Sequence, residues 1–255
     1  MLIVISPAKT LDFENARIVK QESFPEYANK AEELVKILKK YKPIELMQLM
    51  GISEKLATLN ASRFKTWRKI PDEVLARQAI CAFNGEVYTG LNVSEWNDAN
   101  FEFSQHHLRI LSGLYGVLRP LDYICPYRLE MGIKLPTKKG ATLYEFWGDT
   151  VTKNINTQLA AQGDSILINL ASNEYFKALN TKKLKADIIT PVFLDAKNGE
   201  YSMISFFAKK ARGLMSRFII KNRLTQAEQL KEFNLGGYYY NDRLTKDKQW
   251  VFTRD

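Results

Sequence analysis

The chain has 255 residues, 45% of them hydrophobic and 25% charged, with a net charge of +9 at pH 7. That length supplies ample core for one large domain or two small ones, in a composition typical of globular proteins. No apolar run approaches the ~18 residues that span a bilayer, and two cysteines with two histidines are too few for a disulfide framework or a His/Cys metal centre.

The first residues, MLIVISPAK, carry no basic segment ahead of their apolar run, and the run is too short for a secretion signal; a cytoplasmic protein is expected. Residues 2–5 (LIVI) read as a strand cut off by Ser6-Pro7. Tyr27, Ala31, Leu34 and Leu38 keep helical spacing and predict a helix over 26–41. Further helices are expected from just after Pro43 to Met50, from Ser53 towards Arg68, and from Pro71-Asp72 to near Phe83. Residues 84–132 hold Gly85, Gly90, Gly113, Gly116, Pro120, Pro126 and Gly132, a density that predicts turns and irregular backbone. Helix is expected again over 141–161, then strands at 165–171 and 186–195, with SMISFF as a third strand. A long helix over 207–223 and two short strands, at 237–240 and 249–253, complete the chain. Helices and strands alternate without a clean βαβ repeat, so the expected class is α+β: a single domain over 1–255 with a mixed sheet and surrounding helices.

Cys81 and Cys125 form no CxxC motif and are expected as reduced, buried thiols. His106 and His107 are neighbours, which on a helix point ~100° apart and do not face one metal. No metal site and no cofactor are expected; a carboxylate-rich site is the one alternative left open.

Positive charge favours an anionic partner when it is clustered. The strongest cluster is AKKARGLMSRFIIKNR at 208–223, where Lys209, Lys210, Arg212, Arg217, Lys221 and Arg223 lie opposite Ala211, Leu214, Met215 and Phe218, with no acidic residue between Glu200 and Glu228. A solvated helix face normally mixes signs, and this one does not, which favours anion binding; a membrane-surface helix is the third reading. Gly213 in mid-helix points to close packing or a kink.

A second group of residues could form an anion pocket: Lys9 in the SPAKT loop after the first strand, Arg109, Arg119 and Arg128, with Glu130 as either a site carboxylate or a structural ion-pair partner. Tyr115, Tyr123 and Tyr127 accompany the arginines and could stack on bases. The SGxxG stretch at 112–116 resembles a phosphate-cradling loop only loosely, and no GxSxG elbow or Cys–His pair announces a nucleophile.

LMGISEKLATLN at 49–60 lines up with the helix-hairpin-helix pattern, placed within about 44–69. Residues 49–53 occupy the hairpin and Ala57 falls at the expected place in the second helix. The chemistry is backbone amides and a helix N-terminus facing a phosphate, with Gly51, Ile52, Ser53 and Lys55 at the contact. Met50 stands where proline is usual, Ser53 replaces a second glycine, and Glu54 would repel a phosphate beside it. The alternative is an ordinary packed helix–turn–helix.

Over nearly its whole length the sequence resembles the YaaA family of bacterial peroxide-stress-response proteins. The resemblance is carried by ISPAKTLDF (5–13), ISEKLA (52–57), FNGEVYTGL (83–91), LRILSGLYGVLRPLDYICPYRLEMG (108–132), LYEFWGD (143–149), INLASNEYFK (168–177), PVFLD (191–195) and ISFFAKKARGLMSRFII (204–220). It implies a cytosolic protein that protects cells under hydrogen peroxide, keeps unincorporated iron low, and binds DNA through a helix-hairpin-helix and a basic cleft. It brings no catalytic set, and none is assigned. The expected function is therefore binding of double-stranded DNA, largely without sequence specificity, through Gly51, Ile52, Ser53, Lys55, Lys209, Lys210, Arg212 and Arg217, with no membrane partner. The alternative is an enzyme acting on a nucleic acid or nucleotide, which requires Lys9, Arg128, Glu130 and the glycine-rich loop to converge in one concave pocket. A third possibility is a regulator that lowers free iron without handling DNA or iron itself.

Overall fold

Leu2, Ile3, Val4 and Ile5 are fully buried, as a strand covered on both faces must be, and this strand (β1, Leu2–Ile5) lies inside the main sheet. The computed structural model describes residues 1–17, 19–71, 74–197 and 199–255. The sheet has eight strands: β1, β2 (Leu108–Ser112), β3 (Gly116–Leu118), β4 (Ile166–Leu170), β5 (Asp187–Lys197), β6 (Glu200–Ser202), β7 (Tyr239–Tyr240) and β8 (Gln249–Arg254). Their spatial order is β7-β8-β5-β4-β1-β2-β3, with β6 paired to β5. β2, β1, β4, β5 and β8 run parallel, while β3, β6 and β7 are antiparallel to their neighbours.

Among the described residues ten α-helices surround the sheet: α1 (Ala28–Leu38), α2 (Pro43–Met50), α3 (Glu54–Thr66), α4 (Ala79–Ala82), α5 (Glu86–Leu91), α6 (Asp98–His107), α7 (Leu143–Trp147), α8 (Thr150–Ala161), α9 (Asn173–Phe176) and α10 (Ser205–Lys221). The mixed sheet with surrounding helices matches the expected architecture. Its parallel centre adds a feature that the spacing of the elements hid. Taken in chain order, the parallel strands lie as second, first, third, fourth and fifth across the sheet. The chain crosses from β1 to β2 on one side and then returns to place β4 on the other side of β1. That reversal leaves a crevice at the carboxyl ends of β1 and β4, the position where open parallel sheets of this order receive ligands.

Several local expectations need correction. Residues 71–83 do not form one helix: Arg77–Gln78 pairs antiparallel with Tyr123–Ile124, and the helix is confined to α4; positions 72 and 73 lie outside the described residues. The glycine-rich stretch 84–132 is not irregular throughout, because it contains α5, α6 and the sheet strand β2. Its glycines serve close packing: a Cβ on Gly113 would lie 2.2 Å from the Leu129 carbonyl oxygen. SMISFF is not a strand; β6 ends at Ser202 and α10 begins at Ser205. On α3, Leu59 is 43% exposed and Asn60 takes the buried place, donating from Nδ2 to the Leu56 carbonyl at 2.8 Å.

Candidate functional site

The carboxyl ends of β1 and β4 are tied together directly. The Ser172 amide donates to Ser6 Oγ at 2.9 Å, and the two hydroxyls are 3.3 Å apart. The Tyr88 hydroxyl donates to the Ser6 carbonyl at 3.1 Å, which fixes the start of α5 against the same loop. Between these loops, α5 and α10 lies a cavity of about 560 Å³. Its charged lining is Lys9, Glu86, Glu130, Glu174, Lys209 and Arg212.

α10 is held against this cavity by two glycines. A Cβ on Gly213 would lie 1.9 Å from the Val87 carbonyl oxygen, and one on Gly90 would lie 2.2 Å from the Lys210 carbonyl oxygen. The helices α5 and α10 therefore cross at backbone contact, and close packing, one of the two expectations for Gly213, is its role. The crossing brings Lys209 and Arg212, one turn apart, to the cavity wall. Arg212 is partly buried, and its guanidinium makes no hydrogen bond or ion pair among the described residues; burial holds its pKa below the ordinary arginine value.

Glu130 is 9% exposed. Its Oε1 accepts from Arg128 Nε at 3.1 Å, forms an ion pair with Arg128 Nη2 at 2.9 Å, and lies 3.7 Å from Lys9 Nζ. Its Oε2 is buried and has no hydrogen-bond partner among the described residues. Lys9, Arg128 and Glu130 thus converge, the geometry that the enzyme reading requires of them. Residues 112–116 contribute differently: all are buried, Ser112 Oγ accepts from the Tyr115 amide at 3.0 Å, and the Gly113 carbonyl accepts from Trp147 Nε1 at 2.9 Å. This loop has no open face for a phosphate and instead supports the backbone that carries Glu130.

The five residues expected around one anion pocket divide between two places. Arg109 and Arg119 line a separate cavity of about 250 Å³ with Glu26, Asp122 and Gln158. Arg109 is 2% exposed and donates to the carbonyls of Gln105 and Leu108 and to Gln158 Oε1. Its burial, partly offset by Asp122, lowers the guanidinium pKa to about 10. Arg119 Nε donates to Asp122 Oδ1 at 3.0 Å. Both arginines are engaged by protein groups.

The cations of α10 also divide. Lys209 and Arg212 face the large cavity, Lys210 faces a smaller one beside Phe206, Tyr238 and Arg254, and Arg217 and Lys221 both bind the Glu95 carboxylate. The sequence offered no sign of the Glu95 pairing, because that acid lies far away in the chain.

The hairpin lies elsewhere. α2 and α3 pack on each other and α3 on α1, whereas α10 packs on α5 and β5. Gly51 ends α2 in the left-handed conformation (φ 61°, ψ 44°) with its amide bonded to the Met47 carbonyl. Ser53 caps α3, its Oγ accepting from the Leu56 amide at 3.4 Å. Gly51, Ser53 and Lys55 are exposed, while Ile52 is 9% exposed and its amide donates to the Met47 carbonyl at 3.2 Å, so neither the Gly51 nor the Ile52 amide is free for a phosphate, and the open donors are those of the first turn of α3.

Ser6, Glu86, Ser172 and Glu174 were not singled out from the sequence. Ser6 and Ser172 each sit just past a predicted strand, and that shared position was the available signal. Among the described residues no group of three or more His, Cys, Asp or Glu side chains is placed to hold a metal ion, and no helix is long and apolar enough to cross a membrane. The sequence model of one known family, described as Peroxide stress protein YaaA, matches residues 1–244. A match over that share of the chain, together with the motifs that run through it, establishes that the protein belongs to the YaaA family of peroxide stress proteins.

Proposed function

We propose that this peroxide stress protein binds the backbone of double-stranded DNA, largely without regard to sequence, and so acts where iron-driven oxidation does its damage. The observation that carries the reading is the exposed hairpin. Gly51 turns the chain with no side chain in the way, and a Cβ there would meet nothing within 4 Å, so the surface is open to a ligand. Behind it the first amides of α3 stand at a helix N-terminus, where the dipole and unpaired N–H groups favour a phosphate. Lys55 and Lys210 are exposed and make no ion pair among the described residues, and the chain carries a net charge of +9. Glu54 opposes this arrangement and sets the sign of one test.

Fluorescence anisotropy of a labelled duplex, titrated across salt concentration, checks the proposal. If about five phosphates are neutralised, log K falls against log salt with a slope of roughly −4 to −5. Lys55→Ala and Lys210→Ala should each weaken binding and reduce the slope by about 0.9. Glu54→Gln should tighten it. Binding that ignores salt, or that is unchanged in the two lysine variants, overturns the reading.

A further inference from the structure

We propose that the cavity at the carboxyl ends of β1 and β4 is a binding site for a phosphate-bearing small molecule of nucleotide size, with Arg212 and Lys209 holding the phosphate and Glu130 receiving a hydrogen bond from the rest of the ligand. This goes beyond the DNA reading and does not depend on it, because the hairpin lies on other elements.

Position is the first argument. The crevice sits where the strand order of a parallel sheet reverses, and ligands of such sheets bind outside the carboxyl ends of the strands at that point. Its volume of about 560 Å³ falls within the ~300–1,000 Å³ of small-molecule sites.

Two unsatisfied groups of opposite character then define the ligand. Arg212 presents a guanidinium that is partly buried and has no partner among the described residues. A planar fork without a counter-charge fits a phosphate through paired N–H donors. The backbone contact of α10 on α5 fixes the stretch of helix that carries Arg212 at the cavity wall. Lys209, on the same face one turn earlier, and Lys9, across the cavity, add charge without being locked into short ion pairs. Glu130 is the opposite case. Its Oε1 is occupied by Arg128, but Oε2 is buried with no donor among the described residues. A buried acceptor without a donor is costly, and a ligand hydroxyl or amino group removes that cost.

The remaining polar groups narrow the choice. Glu174 Oε1 already accepts the Gly132 amide at 2.9 Å, so it is committed to the protein. Glu86 lines the cavity as well, which makes the site poor for a polyanion and suited to a single phosphate joined to a neutral, hydrogen-bonding body. When the Ser6 hydroxyl donates to Ser172 Oγ, 3.3 Å away, the Ser172 proton is left for the ligand. A nucleoside monophosphate has this combination of features.

Isothermal titration calorimetry on the full chain, with inorganic phosphate, AMP, GMP, ATP and adenosine as probes, tests the proposal. The monophosphates should bind saturably, more tightly than ATP or phosphate, and adenosine should not bind. Lys209→Ala is an exposed change that leaves packing intact and should weaken monophosphate binding at least threefold. Arg212→Gln should weaken it at least tenfold, with circular dichroism confirming the fold. Lys210→Ala, a neighbouring cation that faces another cavity, should leave it within twofold. A 5′-phosphorylated oligonucleotide that AMP displaces would identify a strand end as the source of the phosphate; binding of free monophosphates alone would identify a metabolite. The proposal is overturned if no phosphorylated probe binds saturably, or if Lys210→Ala weakens binding as much as Arg212→Gln. Since Lys55→Ala and Lys210→Ala report on the duplex, and Lys209→Ala and Arg212→Gln on the cavity, failure of one proposal is distinguishable from failure of the other.

Discussion

Cys81 lies in the core with 9% of its surface exposed, and burial pushes its thiol up to about 12. Peroxide attacks thiolates, and a thiol of that pKa is ionised at neutral pH in fewer than about one molecule in ten thousand. Cys125 is 2% exposed, with Sγ 3.6 Å from the Arg68 carbonyl. Neither thiol is placed to react, so the expectation is that iodoacetamide at pH 7.5 leaves both unlabelled in the native protein while labelling both in denaturant. Rapid native labelling of either cysteine, read by mass spectrometry, contradicts this. His107 offers a different residue-scale test. Its ring stacks on Phe103 with centroids 4.1 Å apart, and Nδ1 lies 2.8 Å from the Met1 carbonyl oxygen. Burial lowers its pKa, opposed in part by the Met1 carbonyl. The unfolded chain, with a histidine pKa of about 6.5, then binds a proton that the fold refuses. Stability is therefore full above about pH 6.5, falls as the pH drops through that value, and levels off once the folded pKa is passed. Urea melts at pH 7.5 and 5.5 should show a smaller drop for His107→Gln than for the natural chain, and equal drops refute the assignment. The burial of both cysteines could be anticipated from their spacing. The stacking of His107 could not, because it depends on α6 ending where β2 begins, inside a stretch whose glycines predicted irregular backbone.

At the scale of elements, α10 shows how far an amphipathic pattern carries. A long helix with a cationic face was expected over 207–223, close to the observed Ser205–Lys221, and close packing was one of two readings of Gly213. What could not be read is that the cations serve different neighbours, since Glu95, the large cavity and Arg254 are brought to the helix by segments distant in sequence. The glycine crossing gives a prediction of its own. Gly213→Ala would place a Cβ 1.9 Å from a backbone carbonyl on α5, and backbone cannot rotate away as a side chain can. Overpacking of this kind typically costs about 1–3 kcal/mol. Gly213→Ala and Gly90→Ala should each destabilise the protein by that amount in denaturant melts. They should also displace Arg212 from the cavity wall and so reduce monophosphate affinity, while Gly51→Ala, at an open turn, should strain only its own left-handed backbone. If Gly213→Ala melts like the natural chain, the crossing is looser than described.

For the whole molecule, the order of the parallel strands connects fold to site. The mixture of helix and strand predicted the class, but the connection from β1 to β2 runs through α1 to α6, so no local pattern revealed that these strands are parallel neighbours. The same long-range assembly closes the other side of the sheet. The family match ends at residue 244, yet β8 (Gln249–Arg254) pairs parallel with β5 along its length, next to the sheet's central strands. Asp195, 4% exposed on β5, accepts from the Tyr238 hydroxyl at 3.0 Å and from Arg254 Nε at 2.7 Å. A buried carboxylate needs those donors, so the last turns of the chain are held to the sheet by charge as well as by pairing. Arg254→Met keeps much of the aliphatic bulk but leaves Asp195 with the tyrosine alone. Hydrogen bonds to charged groups contribute about 1.5–3 kcal/mol, and a loss of that size is expected in urea denaturation. The loss should shrink in Asp195→Asn/Arg254→Met, where no unpaired carboxylate remains, and a double variant no more stable than the sum of the singles predicts would show that the two residues act independently. Truncation after residue 244 removes β8 altogether and should unfold the β5 edge of the sheet, readable as loss of amide protection over 187–197, while protection of β1 and β4 beneath the cavity persists longer.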